Sequence, residues 1–232
     1  MFKKITQKLT IHTILILTSL LSIFPFIWLT STSLKGLSED IFAYPPKLIP
    51  TDFTFANYVD VWGKVDFMAY FWNSVIVAAL TVLLNLILSS LAAYPLARMS
   101  FKGKKFVFFS ILATIMIPFQ AIMLPVYIIT LKLHLIDSVN NVMGYIGLVM
   151  PFAVSAFGIF LMRQAFLKVP KEVEEAAIVD GCNVFQMFVK VVLPMVKPTL
   201  AVLAVFTFIG SWGEFLWPSI MLTKDSMYTL PV

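Results

Sequence analysis

Apolar residues along this chain gather into five long runs, and most of the charge lies in the segments between them. The runs cover about 11–31, 71–94, 106–130, 142–162 and 198–222, each close to the roughly 20 residues that a helix needs to cross a bilayer core. The pattern predicts an all-α transmembrane helical bundle, with residues 1–232 forming one membrane domain. Composition supports this: 60% of residues are hydrophobic and only 12% are charged, about half the charged share of a soluble domain.

Charge placement predicts orientation. Lys3, Lys4 and Lys8 precede the first run, and Arg98, Lys102, Lys104 and Lys105 crowd the connection after the second. Arg163, Lys168, Lys171, Lys190 and Lys197 lie between the fourth and fifth. The other side holds Lys35, Lys47, Lys64, Lys132 and Lys224 in longer or acid-balanced segments. Cytoplasmic loops carry the excess of Lys and Arg, so the N-terminus and the 163–197 loop are expected to be cytoplasmic. The net charge of +5 is thereby accounted for by topology, and no basic–aromatic face points to nucleic acid. The first run is too long for a signal-peptide core and no A-x-A-like site follows it, so an uncleaved span is expected. Five spans put the C-terminus outside, just past the polar turn Thr223-Lys224-Asp225-Ser226, and the expectation is that a sixth span is missing from this chain.

The outer segment 35–70 contains Pro45-Pro46 and Pro50, which predict an extended connection. Phe53, Phe55, Tyr58 and Trp62 follow and suit a helix lying at the membrane interface. Cys182 is the single cysteine, which rules out an intrachain disulfide. His12 and His134 have no second ligand at metal spacing, so no metal site is expected.

The 163–197 loop is the most informative stretch. Pro170 suits the first turn of a helix, and Glu172, Glu174 and Glu175 would then lie near the positive end of its dipole. Ala176 and Ala177 continue that helix, and Asp180-Gly181 ends it, because glycine adopts a left-handed conformation at little cost. Asn183 with Gln186 predicts a capping box opening a second helix. Phe185, Phe188, Val189 and Val192 are expected on one face of that helix, which Pro194 and Pro198 end. Carboxylates beside small residues fit a partner's groove. On composition alone, a solvated loop whose acids oppose nearby lysines is an equal alternative.

Glu175-Ala176-Ala177, then three residues, Gly181, nine residues and Val191-x-Leu193-Pro194 resemble the EAA loop of bacterial ABC-importer permeases, with Val191 where the family has Ile. Tyr94-Pro95-Leu96-Ala97-Arg98, Phe101-Lys102-Gly103-Lys104, Phe55-Ala56-Asn57-Tyr58, Ile117-Pro118, Leu124-Pro125 and 212–218 are similar to the sugar-importer branch, above all to the smaller permease of maltose-type transporters. That branch often carries Asn at the position of Gly213. The resemblance implies the ABC type I importer fold and a subunit of a binding-protein-dependent importer in a bacterial inner membrane. It implies partners: a second homologous permease, a cytoplasmic ABC ATPase dimer, an extracytoplasmic solute-binding protein, and membrane lipid. Glu174, Glu175, Ala176, Ala177, Asp180, Gly181, Leu193 and Pro194 become the ATPase-coupling residues, with the first short helix as coupling helix. The chain has no G-x-x-x-x-G-K-[ST] loop. It is expected to be no enzyme and to bind no cofactor, with ATP-Mg used by the partner ATPase. A sugar or oligosaccharide is the implied solute, and a polyol or glycerol phosphate is the alternative.

Within the runs, Glu214 is the one acid, and an ionisable group there is a functional candidate by default. Gating and structural pairing are both open for it. Direct sugar binding is less favoured, since in maltose-type systems the larger permease holds most of the sugar. Thr81, Asn85 and Ser89 form a polar stripe, either interhelical packing or pathway wall. Gly147, Pro151, Ser155 and Gly158 suit helix packing on one face of the fourth run. Pro118 and Pro125 are expected to bend the third, exposing Gln120. The pathway or gate candidates are Asn85, Ser89, Gln120 and Glu214. An ion-driven transporter would need more intramembrane ionisable groups and an internal repeat, and neither is seen.

Overall fold

The computed structural model describes residues 2–45 and 47–232, with side chains from residue 6 onward. Pro46 of the Pro45-Pro46 pair and the side chains of Lys3 and Lys4 lie outside the described residues. The chain forms two compact units, 1–67 and 68–232.

The first unit begins with α1, Phe2–Ser33. Its Thr6–Ser33 stretch has a mean hydropathy of 2.0 and none of it is buried, the profile of a helix whose whole surface is solvated by lipid or a partner. Thr10, Thr13, Thr18, Ser22 and Thr30 return their hydroxyls to carbonyls one turn back, which removes the cost of bare hydroxyls among apolar side chains. The segment beyond is folded rather than simply extended. Lys35 is buried, donates to the Lys47 carbonyl at 2.8 Å and lies 3.8 Å from Glu39. Glu39 accepts the Thr51 and Asp52 N–H groups. Burial alone would push its carboxyl up, but those N–H donors and Lys35 hold it below the usual range. Asn57 donates to the Ser33 and Lys35 carbonyls and fixes α2, Ala56–Lys64. A helix thus forms where one was expected, with Val59 and Trp62 exposed.

In the second unit, α3 (Phe67–Arg98, its first residue in the first unit) is the long unbroken helix. The third and fourth runs are each a bent pair, and the fifth follows a bend at Val196 and is interrupted after Trp212. α4 (Lys104–Thr114) and α5 (Phe119–Lys132) meet at 97°. α6 (Asn141–Val149) leads through a 3-10 turn into α7 (Ala156–Leu167), with a bend of 58°. After α8 (Lys171–Val179) come α9 (Val184–Met195) and α10 (Lys197–Trp212), meeting at 79°. α11, Leu216–Met221, follows. Among the described residues, two helices are long and apolar enough to cross a membrane, or up to five if each bent pair is one span. The breaks follow proline chemistry: Pro118 is the extended N-cap of α5, Pro151 sits in the 3-10 turn, and Pro198 opens α10. Pro125 stays inside α5, so the bend expected from both prolines belongs to Pro118.

The bend in the fourth run splits the predicted small-residue face. Gly147 packs where a β-carbon would meet the Leu135 carbonyl, while Gly158 lies against Ser89 and Asn85 of α3. Asn85 Nδ2 donates to the Phe152 carbonyl at 3.1 Å, and the Ser155 hydroxyl caps α7 by accepting the Gly158 N–H at 2.9 Å. Both repair hydrogen bonds that the break would leave open in an apolar setting.

The 223–230 segment is tied down by three buried side chains. The Thr223 and Lys224 N–H groups donate to Asp137 Oδ2, both at 2.7 Å, and the Thr223 hydroxyl to Oδ1 at 2.9 Å. Asn73 donates to the Ser226 and Tyr228 carbonyls, and Ser74 accepts the Leu230 N–H. Burial would raise the Asp137 carboxyl, but these donors hold it below the ordinary value. A depressed folded-state pKa contributes stability above the unfolded pKa that is lost as pH falls through the folded one. Asp137→Ala should therefore cost about 2 kcal/mol near neutral pH. The loss should fade as pH falls below about 4. Thermal unfolding of purified protein across pH checks this, and an equal loss at every pH contradicts it.

Candidate functional site

α8 begins after Pro170, which serves as N-cap one position before the first turn expected for it. Glu172 and Glu174 fall in the first turn. The helix ends in a Schellman turn: Gly181 N–H donates to the Ile178 carbonyl and Cys182 N–H to the Ala177 carbonyl, both at 2.9 Å. Gly181 has φ +80° and open space around it, so its requirement is purely conformational. Asn183 and Gln186 form the predicted capping box, with Gln186 N–H to Asn183 Oδ1 at 2.8 Å and Asn183 N–H to Gln186 Oε1 at 3.1 Å.

α9 departs from the expectation of a simple helix. Residues 187–192 form a π turn, whose i→i+5 bonding widens the turn. That register buries Met187, Phe188 and Val192 and leaves Phe185 and Val189 exposed, so the face proposed for Phe185 and Val189 is corrected. Phe188 packs with Tyr94 and Phe166 at ring distances of 5.0 and 6.1 Å. Ala177 and Leu193 join the same apolar cluster.

Arg98, at the end of α3, ties α8 to the bundle. Its Nε lies 2.7 Å from Glu174 Oε1, a charge contact rather than an aligned hydrogen bond. Its other guanidinium nitrogen donates to the Val169 carbonyl. Nearby, Arg163 donates to the Leu96 carbonyl at 3.0 Å and lies over the Phe108 ring, and Lys104 Nζ donates to the Ala97 and Met99 carbonyls. Arg163 and Lys104 thus serve the backbone where α3 ends and Arg98 the backbone just before α8, a use that counting charges for topology misses. The eight residues proposed for the loop therefore divide. Glu174 and Ala177 face inward and Leu193 is half-buried, whereas Glu175, Ala176, Asp180, Gly181 and Pro194 are exposed. Ile178, Val179 and Phe185 are also exposed, adding an apolar surface that sequence reasoning did not identify. A groove bounded by Ser100, Lys105, Lys171 and Glu175 lies beside it.

A second feature is a cavity of about 320 Å³ between α3, the α6–α7 break and α10–α11. Asn85 and Glu214 both line it. Glu214 stands in the break between α10 and α11, where Oε1 accepts the Trp217 N–H at 3.1 Å. Ser89 lies beyond Asn85, donating to its Oδ1 at 3.2 Å, and does not line the cavity. Gln120 is exposed at the start of α5, away from the cavity, because the sharp bend at Pro118 turns α5 aside. The structure thus brings together two of the four pathway candidates, with the third adjacent and the fourth elsewhere.

Residues 85–232 match the family model described as the binding-protein-dependent transport system inner membrane component. The arabinooligosaccharides transport system permease protein AraQ of Bacillus subtilis (strain 168) is 35% identical over 92% of this chain and 75% of its own length. The lactose transport system permease protein LacG of Rhizobium radiobacter is 33% identical over 94% of this chain and 77% of its own. The sn-glycerol-3-phosphate transport system permease protein UgpE of Brucella abortus (strain 2308) is 32% identical over 94% and 78%. A crystal structure of a bacterial ABC transporter involved in the import of the acidic polysaccharide alginate superposes with a TM-score of 0.82 at 26% identity, covering 97% of this chain and 77% of that one.

The turn can be tested locally. Gly181→Val should strain the left-handed residue by about 1 kcal/mol or more and raise amide hydrogen exchange through 171–186. Gly181→Asn, which tolerates that conformation, should not. Equal exchange in both variants would contradict the assignment.

Proposed function

The chain belongs to the family of inner-membrane components of binding-protein-dependent transport systems, and from that premise we propose that it is one permease subunit of an ATP-driven sugar or oligosaccharide importer. The single observation that carries the reading is the two-sided build of α8. One side is anchored through Glu174 and Ala177, and the other presents Glu175, Ala176 and Val179 outward. An exposed helix face that mixes acidic, small and apolar residues and has its own anchor is suited to being pushed by a partner. In this reading the α8 end and the N-terminus are cytoplasmic, and an ABC ATPase dimer carrying ATP-Mg seats on that face. A second permease completes the pathway, and an extracytoplasmic binding protein delivers solute. This chain holds no nucleotide and performs no catalysis.

Relatives named for arabinooligosaccharide and lactose transport support a sugar. The relative named for glycerol 3-phosphate transport keeps a phosphorylated polyol as the second reading.

Vesicles containing the assembled complex should take up solute only with ATP on the α8 side, and uptake driven by an ion gradient without ATP would contradict the proposal. Glu175→Lys should lower uptake severalfold. Because Glu175 is exposed, the loss should shrink as salt rises above about 0.15 M, where the Debye length falls below about 8 Å.

A further inference from the structure

The cavity beside Glu214 has features that packing does not account for. The hydroxyls of Thr81 and Thr229 are buried and have no hydrogen-bond partner, and both residues line it. Their exposures are 2% and 4%. Native proteins rarely leave such groups bare. Two unpaired hydroxyls within the wall of one cavity mark that wall as more polar than packing alone requires.

We propose that this cavity is a subsite for one uncharged sugar unit, and that it turns away anionic solutes. The inference rests on the permease reading above and sharpens its solute class. Its volume, about 320 Å³, lies at the lower end of the roughly 300–1,000 Å³ typical of small-ligand sites. That size suits a single ring rather than a chain. Apolar walls come from Phe152, Phe157, Phe206 and Trp217, which can cover the C–H face of a ring. Polar groups at the edges are hydroxyls, the Asn85 amide and the Glu214 carboxylate, a set that donates to and accepts from sugar hydroxyls.

The charge pattern decides between the two solute classes. Among the described residues, Glu214 is the sole ionisable one of the lining, and no Lys, Arg or His contributes to it. A phosphate or uronate needs cationic donors, most often a bidentate arginine. Here it would meet a carboxylate in apolar surroundings, where repulsion is little screened. A neutral hydroxylated ring meets no such penalty, and its hydroxyls can donate to Glu214. One Glu214 oxygen already holds the start of α11 through the Trp217 N–H, so the carboxylate has a fixed position from which to accept.

Cysteine protection tests the proposal. Thr207→Cys and Ser211→Cys place reporters on the lining, in conservative changes on partly exposed positions. The detergent-solubilised complex is alkylated, and each site is read by peptide mass spectrometry, with Cys182 in the same chain as internal control. Arabinotriose, lactose and diacetylchitobiose serve as neutral probes, and galacturonate and glycerol 3-phosphate as anionic ones. The neutral sugar that the complex imports best should slow labelling at both reporters about tenfold at ten times its Kd, leave Cys182 unaffected, and the anions should do nothing. Glu214→Gln keeps an oxygen for the Trp217 N–H and removes the repulsion, so galacturonate should begin to protect. Import of a neutral sugar without protection at either reporter would overturn the subsite and leave the importer reading intact. Protection by glycerol 3-phosphate in the parent complex would overturn the charge selection. Import of glycerol 3-phosphate and no sugar would end both the subsite and the sugar reading.

Discussion

A helix interrupted among apolar surroundings must have its freed backbone groups paired, and that requirement organises this structure. Three of the five apolar runs are broken, and polar side chains sit at the breaks and helix ends. Asn85 takes the Phe152 carbonyl, Ser155 the Gly158 N–H and Glu214 the Trp217 N–H. Arg98, Arg163 and Lys104 take carbonyls at Val169, Leu96, Ala97 and Met99. Residues that first draw the eye as pathway or topology signals therefore have structural work, and function has to be read from what remains.

What remains separates cleanly. At one end, α8 is clamped by Arg98 and by the Tyr94–Phe166–Phe188 rings, yet shows Glu175, Ala176, Ile178 and Val179 outward. Both clamps belong to α3 or pack on it, and α3 also carries Thr81 and Asn85 along the cavity wall. One continuous helix thus joins the loop that a partner would press to the cavity where a solute would lie. A stiff connection of this kind allows displacement at α8 to reach the cavity without a relay of side chains.

The local features were legible because their determinants are neighbours in sequence. Gly181 and the Asn183–Gln186 box form within a few residues, and both were read correctly. The helical breaks were not, because hydropathy reports only the apolar content of a run. Asn85 meets Phe152 across 67 residues, and no window along the chain shows that pairing. The π turn likewise hides the register of α9, so Phe185 and Val189, expected on one face with Phe188 and Val192, are exposed while those two are buried. Lys35 was counted as an outer charge, yet it is buried as the organiser of its loop. Gln120 was placed correctly as exposed but lies apart from the cavity, because a proline gives the position of a bend and not the direction of the turn.

The central claim is that Arg98 and Glu174 act as one link between α8 and α3. A double-mutant cycle of Arg98→Gln, Glu174→Gln and both together, read as solute transported per ATP hydrolysed by the reconstituted complex, tests it most directly. The account predicts strong non-additivity, with the double variant no worse than the poorer single one. Independent, additive losses, or singles that transport like the parent, would contradict it.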